Sequence, residues 1–200
     1  MSEHYFSQKP QSKSSPKTWS YQLREKEYTF TSDYGVFSKN EIDYGSRLLI
    51  DHFVEPNKSG SVLDLGCGYG PIGITIADTY PDRKVVFADV NERAIKLAEQ
   101  NAEQNKVRNT EFVKSDRFSN LADYTFASIV TNPPIRAGKQ VVHAMIEESR
   151  RVLDESGEFW IVIQKKQGAP SAKEKVTSVF GNVEVVAKDK GYFLFRAINI

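Results

Sequence analysis

The segment SVLDLGCGYGPIG, residues 61–73, concentrates residue types that bring a ligand close to the backbone. Four glycines stand within eight positions, and the carboxylate of Asp64 precedes them. Glycine costs backbone entropy in a foldable stretch, so this density indicates a sharp turn with a ligand lying against bare backbone. Pro71 suits the first turn of a following helix, whose free N–H groups attract negative charge. We therefore expect a polar, extended and partly anionic ligand at this loop.

Two ligand classes compete for this glycine loop. Gly68, Gly70 and Gly73 satisfy the dinucleotide pattern G-x-G-x-x-G, and Asp89 follows about 20 residues later to hold a ribose. In a dinucleotide fingerprint the glycines follow the strand directly, whereas here Asp64 stands two residues before the first glycine. A carboxylate at that place would repel a pyrophosphate and would suit an ammonium group. A ligand with an amino acid at one end and a ribose at the other fits both acids, which favours S-adenosylmethionine.

A second segment, TNPPIRAGK at residues 131–139, has the residue types needed to hold an amino group. A residue before proline is extended and proline has no N–H, so Pro133 and Pro134 leave acceptors without competing donors. The side-chain oxygen of Asn132 and the carbonyl of Pro133 can then both accept from one NH₂ group. An exocyclic or amide nitrogen is a poor nucleophile because its lone pair is conjugated, and gripping both hydrogens aims that lone pair at a methyl donor. The segment predicts N-methyl transfer by alignment, without a dedicated general base.

The elements that must position these two segments alternate regularly after residue 60. Strands are predicted at 61–65, 84–89, 110–115, 126–131 and 158–164, and helices near 71–79, 92–105, 138–153 and 170–180. Such alternation predicts a parallel sheet with helices on both faces, because parallel neighbours need crossovers. Residues 183–199 indicate two strands joined by a Lys-Asp-Lys-Gly turn, so the last strand runs antiparallel to the one before it. Ligands bind such sheets at the carboxyl ends of the strands, where both segments fall.

The first 60 residues lack this alternation. An extended piece is predicted at 27–37 with a turn at Gly35, followed by a helix at 40–53 with Asn40 as a possible N-cap. The beginning of the chain is rich in Ser, Lys, Gln and Pro, a composition that does not repay its own ordering. We therefore divide the chain into a flexible tail at 1–18, a cover of the catalytic domain at 19–60 and an S-adenosylmethionine-binding core at 61–200.

These segments resemble the class I S-adenosylmethionine-dependent methyltransferases. VLDLGCGYGPIG is similar to their first motif, FADVNERAIKLAEQN at 87–101 to their second, and VKSD followed by Arg117 to their third. The resemblance runs from about residue 28 to the end of the chain. It implies a Rossmann-like, doubly wound α/β fold with a seven-stranded, mostly parallel sheet whose last strand is antiparallel.

The same resemblance implies a cofactor site. Asp64 and the backbone of Gly66 and Gly68 hold the methionine end, Asp89 binds the ribose hydroxyls, and Asp116 faces the adenine amino group. An aspartate after a strand is also a common helix cap, which leaves a second interpretation of Asp116 open. The matched motifs add further residues to the expected cofactor site: Cys67, Gly70, Val90, Arg117 and Asn132.

The sequence NPP followed by an apolar residue resembles the amino-methyltransferases of DNA adenine, protein glutamine and RNA guanine. The DNA and glutamine enzymes usually have Tyr or Phe at the fourth place, where this chain has Ile135. With GVFS at 35–38, DYGSRLLI at 43–50 and RAGK at 136–139, the chain is similar to the catalytic half of the small-subunit ribosomal RNA guanine-N2 methyltransferases. Many of those enzymes carry a further N-terminal methyltransferase-like domain.

This resemblance implies methylation of a guanine N2 amine in ribosomal RNA or the small ribosomal subunit. The alternatives are methylation of protein glutamine or DNA adenine, or a non-catalytic RNA-binding module of the same fold. The expected catalytic residues are Asn132, Pro133, Pro134 and Ile135. The expected substrate-binding residues are Phe37, Arg136, Lys139, Lys165 and Lys166.

Composition restricts the remaining possibilities. Twenty-seven basic and twenty-six acidic residues give a net charge of +1, so any site for a polyanion has to be a local patch. The single cysteine, Cys67, cannot form an internal disulfide and has no metal spacing, so we interpret it as a small filler. His4, His52 and His143 show no ligand spacing, and we expect no metal. No apolar run approaches a membrane span and no signal-peptide core is present, which favours a cytoplasmic protein and leaves its oligomeric state open.

Overall fold

The computed structural model describes residues 13–36, 38 and 41–200 of the chain. The strands in this part are β1 Lys17–Leu23, β2 Lys26–Ser32, β3 Ser61–Leu65, β4 Val85–Asp89, β5 Thr110–Lys114, β6 Phe126–Thr131, β7 Leu153–Gln164, β8 Glu184–Asp189 and β9 Tyr192–Ile198. The α-helices are α1 Tyr44–His52, α2 Pro71–Thr79, α3 Glu92–Gln104, α4 Lys139–Val152 and α5 Ala169–Phe180.

Seven strands form one sheet in the order β5-β4-β3-β6-β7-β9-β8. The strands β5, β4, β3, β6 and β7 run parallel to one another. Strand β9 pairs antiparallel with both β7 and β8. The turn between β8 and β9 is tight, because Lys190 and Gly191 both have positive φ angles of 46° and 79°. The predicted doubly wound, mostly parallel sheet with an antiparallel last strand is confirmed.

Side chains alternate between the two faces of the sheet, and each face has its own apolar core. Val62 packs on the side that also receives α1, α2 and α3, whereas its neighbour Leu63 packs on the side of α4 and α5. The same alternation continues at Trp160 and Ile161 in β7. Because β3, β4, β5 and β6 are parallel, their carboxyl ends meet at the same end of the sheet.

The cover contains a hairpin that the sequence analysis did not predict. β1 pairs antiparallel with β2, and the polar face of α3 completes the pairing of β2. The side chain of Asn101 exchanges two hydrogen bonds with the backbone of Thr31, at 2.7 and 2.9 Å, and Asn105 does the same with Thr29 at 3.0 and 2.7 Å. The amides of Asn101 and Asn105 therefore supply the hydrogen-bond partners that a further strand would give to the free edge of β2.

Two boundaries in the cover differ from prediction. Of the predicted flexible tail, residues 17 and 18 belong to β1 and the side chain of Ser14 donates to Asp33 at 2.7 Å, whereas residues 1–12 lie outside the described residues. The predicted helix at 40–53 begins instead at Tyr44, because the side chain of Asp43 caps it by accepting from the backbone of Ser46 at 3.2 Å. Asn40 lies outside the described residues.

Within the described part of the chain, none of the helices combines the length and the apolar character needed to cross a bilayer.

Candidate functional site

A cavity of about 510 Å³ opens at the carboxyl ends of β3, β4, β5 and β6. One side of its wall is the glycine loop with the ends of β4 and β5. The other side is the segment after β6, together with Val36, Ser38, Asp43 and Ser46 of the cover. The topology thus brings both chemically distinctive segments of the sequence to one cavity.

The glycine loop closes back onto the end of β4. The backbone N–H of Gly66 donates to the carbonyl of Ala88 at 2.8 Å, and that of Gly68 donates to Asp89 Oδ2 at 2.9 Å. Gly68 has a φ of 56°, and a Cβ built there would enter open space. The loop therefore presents backbone to the cavity, and the N–H groups of Gly66 and Gly68 are already paired within the protein.

Asp64 lies behind this loop and is only 1% exposed. Its Oδ2 accepts from the backbone N–H of Gly73 at 2.8 Å, while its Oδ1 has no partner among the described residues. Burial is the main cause that raises the pKa of Asp64 to about 7. The amino end of α2, where the sequence predicts attraction of a ligand anion, thus already holds a carboxyl group of the protein.

Tight packing fixes Asp64 in this place. A Cβ on Gly73 would lie 2.3 Å from a ring carbon of Phe87 and 2.9 Å from Asp64 Oδ2, so only glycine fits. Gly70, which the sequence also assigns to the cofactor, serves as the left-handed residue before α2 and does not line the cavity. Asp64 and Gly70 are therefore not on the wall itself.

Asp89 is the carboxylate on the cavity wall between the loop and α3. Its Oδ1 accepts from the backbone N–H of Asn91 at 2.8 Å, and its Oδ2 accepts from Gly68. Burial raises the pKa of Asp89, and these backbone hydrogen bonds oppose the rise. The backbone of Val90 also donates to this carboxylate, which keeps acceptor capacity for a hydroxyl group of a ligand. Val90 lines the wall beside it.

Asp116 and Arg117 line the end of the cavity beyond β5. The side chain of Asp116 is 55% exposed, and Arg117 forms ion pairs with Asp116 at 3.5 Å and with Glu148 at 3.3 Å. Arg117 has a positive φ of 50°, and the hydroxyl of Ser115 donates to its carbonyl at 2.8 Å, which holds the turn. The predicted third motif thus reaches the same cavity.

The amide of Asn132 is held in one orientation at the carboxyl end of β6. Its Nδ2 donates to Asp43 Oδ1 and to Ser46 Oγ, each at 3.0 Å. No described residue donates to its oxygen, and Asn132, Pro133 and Pro134 all line the cavity. The side chain can therefore accept from a group inside the cavity.

Ile135, the fourth residue of the predicted catalytic set, does not line the cavity. The backbone after the two prolines tightens into a single 3₁₀ turn, Ile135–Ala137, in which the N–H of Ala137 donates to the carbonyl of Pro134 at 2.9 Å. Ile135 packs against the core on the side of α4 and α5, and Ala137 lines the cavity in its place. The predicted catalytic set is thus placed on the wall except for Ile135.

Sequence reasoning did not assign Asp43 and Ser46 to the site. The available signal was Asp43 itself, since aspartate is a preferred N-cap residue and stands directly before the helical stretch. The contact with Asn132 spans 89 residues of sequence and depends on the fold.

The expected substrate residues lie outside the cavity wall. All four described residues of this set, Arg136, Lys139, Lys165 and Lys166, are exposed; the first two flank the lining residue Ala137, and the other two follow the carboxyl end of β7. Phe37 lies outside the described residues. The β8–β9 turn lies beside Lys165, because the backbone N–H of Lys165 donates to the carbonyl of Gly191 at 2.7 Å.

That turn adds basic groups that the sequence analysis did not single out. Lys188 and Lys190 are exposed, and Lys190 Nζ lies 4.7 Å from the ring centroid of Tyr44. We name four residues the basic rim: Lys165, Lys166, Lys188 and Lys190. Within the part of the chain that the structure covers, no carboxylate forms a salt bridge with any of them.

Other reactive side chains lie in ordinary structural positions. Cys67 lines the cavity but is 5% exposed, and burial raises the pKa of its thiol, which disfavours the nucleophilic thiolate. His143 Nε2 lies 3.0 Å from Ser171 Oγ, and His52 Nδ1 lies 2.9 Å from the carbonyl of Leu48. Across residues 13–36, 38 and 41–200, no three His, Cys, Asp or Glu side chains gather in a metal-binding group.

Comparison with known proteins adds a family and several relatives. The family described as Methyltransferase small domain matches residues 27–196. The uncharacterized protein YbxB of Bacillus subtilis (strain 168) is 60% identical over 198 residues, which cover 98% of each chain.

Solved structures share the fold. The 16S rRNA N2 G1207 methyltransferase RsmC of T. thermophilus, solved with AdoMet and guanosine, superposes with a TM-score of 0.80 and 25% identity over 92% of this chain. The match covers 51% of that enzyme, so the chain spans about half its length. A methyltransferase from Pyrococcus furiosus superposes with a TM-score of 0.66 at 19% identity, covering 83% of this chain and 90% of that one.

Proposed function

The chain belongs to the methyltransferase small domain family, with a class I fold that uses S-adenosylmethionine, and on this premise we propose that it methylates the N2 amine of a guanine in ribosomal RNA. The observation that carries the proposal is the Asn132 amide, which opens onto the same cavity as the glycine loop and Asp89. A methyl donor and an amino acceptor can meet only where those two walls face each other.

The residues of the first wall, with Asp64 behind it, fit the cofactor. The unpaired Oδ1 of Asp64 suits an ammonium group, although it lies behind the loop. The open space beside Gly68 admits a chain that lies against backbone. Asp89 has acceptor capacity for ribose hydroxyls, and Asp116 for an exocyclic amine. When bound, S-adenosylmethionine supplies the electrophilic methyl group of its sulfonium.

The residues of the second wall act on the acceptor. Asn132 Oδ1 and the carbonyl of Pro133 accept from the two hydrogens of one NH₂ group, which turns the nitrogen lone pair toward the methyl donor. Such alignment contributes up to several kcal/mol, so no general base is required for the transfer. The nitrogen becomes acidic once it is alkylated, and its proton leaves to water.

Two observations support guanine in RNA as the acceptor. The T. thermophilus enzyme, whose fold superposes over 92% of this chain, is named for methylation of guanine N2 in 16S rRNA and was solved with guanosine. The basic rim, with Arg136 and Lys139, presents exposed cations after the carboxyl ends of β6 and β7 and in the adjoining β8–β9 turn, where they can contact phosphates. We therefore propose the small ribosomal subunit as the partner and the cytoplasm as the location.

Transfer of tritium from labelled S-adenosylmethionine tests this function. RNA, DNA and protein fractions from a cell that lacks the gene are each incubated with the purified protein. We expect label in ribosomal RNA, and mass spectrometry of the digested RNA should identify N2-methylguanosine at a single site. Label in protein alone would favour glutamine methylation, label in DNA would favour adenine, and label in no fraction would favour a binding module.

A further inference from the structure

We propose that Asp43 and Ser46 are positioning residues, which hold the Asn132 amide so that its oxygen faces the acceptor amine. This inference rests on the proposed function only in requiring an acceptor that carries an NH₂ group. Neither residue needs to touch the substrate, since both act through Asn132.

The donor and acceptor roles in this cluster are fixed by chemistry. A carboxylate only accepts, so Ser46 Oγ must donate its one hydrogen to Asp43 Oδ2, at 2.5 Å. The lone pairs of that hydroxyl are then free to accept from Asn132 Nδ2 at 3.0 Å. The second hydrogen of Nδ2 goes to Asp43 Oδ1, also at 3.0 Å.

This arrangement settles which end of the amide faces the cavity. The nitrogen and oxygen of an asparagine are assigned from their partners. A flipped Asn132 would place its oxygen against the carboxylate of Asp43 and against a hydroxyl whose hydrogen is already committed. Both contacts would be repulsive, so only one orientation is compatible with the cluster.

The cluster is rigid because it is also the start of α1. Asp43 is the N-cap and accepts from the backbone of Ser46 at 3.2 Å, and its own carbonyl accepts from the backbone of Arg47 at 3.1 Å. Ser46 is 4% exposed, and Leu49 and Ile50 of the same helix are fully buried. A helix cap alone would not require the contact with Asn132, so that contact indicates a second role.

A double-mutant cycle separates positioning from structure. Ser46→Ala removes one acceptor from Asn132 and keeps the backbone N–H that Asp43 caps. We expect a single-turnover methylation rate about tenfold lower, the scale of one lost hydrogen bond, with S-adenosylmethionine affinity within about twofold. In a protein that already carries Asn132→Ala, adding Ser46→Ala should cause no further loss of rate, because its effect passes through the missing amide.

Asp43 provides the matched pair of substitutions. Asp43→Asn keeps a good N-cap, but an NH₂ group replaces one of the two oxygens that fix the roles of Ser46 and Asn132, so the rate should fall about tenfold with the melting temperature largely retained. Asp43→Ala should lose about 10²-fold, and the part that acts through Asn132 should disappear in the Asn132→Ala protein.

The cycle is measured on whichever fraction the wild type labels, so its result is independent of the acceptor's identity. Label in protein rather than RNA would refute the proposed function and leave the cycle readable. Multiplicative losses in the double variants would overturn the positioning role even if ribosomal RNA is methylated. An unchanged rate in Ser46→Ala would overturn it as well.

Discussion

The affinity for S-adenosylmethionine should rise with pH through the titration of Asp64. This carboxyl group is almost fully buried, has one oxygen without a partner among the described residues, and has a pKa raised to about 7. Near neutral pH the free protein therefore holds it as a mixture of acid and carboxylate. In the proposed site the ammonium group of the cofactor favours the carboxylate form of Asp64, so protonation of Asp64 should weaken binding.

The size of the effect follows from the fraction of carboxylate. With a pKa of about 7, that fraction is about 0.1 at pH 6 and about 0.75 at pH 7.5. The affinity should increase about eightfold over this interval, or about 1.2 kcal/mol. The stability of the free protein changes in the opposite sense. Because the folded state binds more protons than the unfolded state between the ordinary pKa of Asp and about 7, stability falls as pH rises through that window.

Calorimetric titration with S-adenosylmethionine at constant ionic strength measures this dependence. Asp64→Asn keeps an acceptor for the N–H of Gly73 and cannot ionise, so it should bind more weakly and with little pH dependence. The ligand 5′-methylthioadenosine lacks the amino-acid end, and its profile reports the remaining contribution of Asp89. A pH-independent affinity in the wild type, or an equal slope in Asp64→Asn, would refute a role for Asp64 at the ammonium.

Three further predictions concern other parts of the molecule. Asp89→Ala should weaken S-adenosylmethionine binding by about 1.5–3 kcal/mol, the range for hydrogen bonds to a charged group, and an unchanged calorimetric affinity would remove Asp89 from the site. Gly73→Ala should lower the free energy of unfolding in urea by about 1–3 kcal/mol, because the added Cβ meets a phenyl ring at 2.3 Å; an unaltered midpoint would show that α2 can shift. Changing Lys165 and Lys190 to Gln should reduce the slope of log affinity for RNA against log salt concentration by about 1.4, with cofactor affinity unaffected. The control Lys106→Gln, which lies before the amino end of β5, should leave that slope unchanged.

Local signals were sufficient to predict the core from the sequence. Strand β3 and helix α2 occur at the predicted residues, because an apolar run, a glycine turn and Pro71 are all short-range features. The turn between β8 and β9 was predicted from Gly191, which follows three charged residues. Helix ends differ by a residue or so, as at Ala169.

Features that depend on distant contacts were not predictable. Strand β1 alternates polar and aromatic residues, which is a local signal. Its partner β2, however, completes its backbone hydrogen bonds with the side chain of Asn101, which lies 70 residues beyond Thr31 in the sequence. The wall position of Ala137 instead of Ile135 depends on a 3₁₀ turn after two prolines, which the residue pattern does not specify. The same holds for the contact between Asp43 and Asn132.

The two halves of the site are built by different parts of the chain, which has a consequence for specificity. The wall that we propose for the cofactor comes from the ends of β3, β4 and β5, whereas the wall that we propose for the acceptor combines Asn132 with α1 and other cover residues. Asn101 joins the two parts, since its Nδ2 donates both to Thr31 of the cover and to the carbonyl of Tyr69 in the glycine loop, at 2.9 and 2.8 Å. Substitutions in the cover that spare this link should therefore change the rate of transfer or the choice of acceptor while the contacts to S-adenosylmethionine persist.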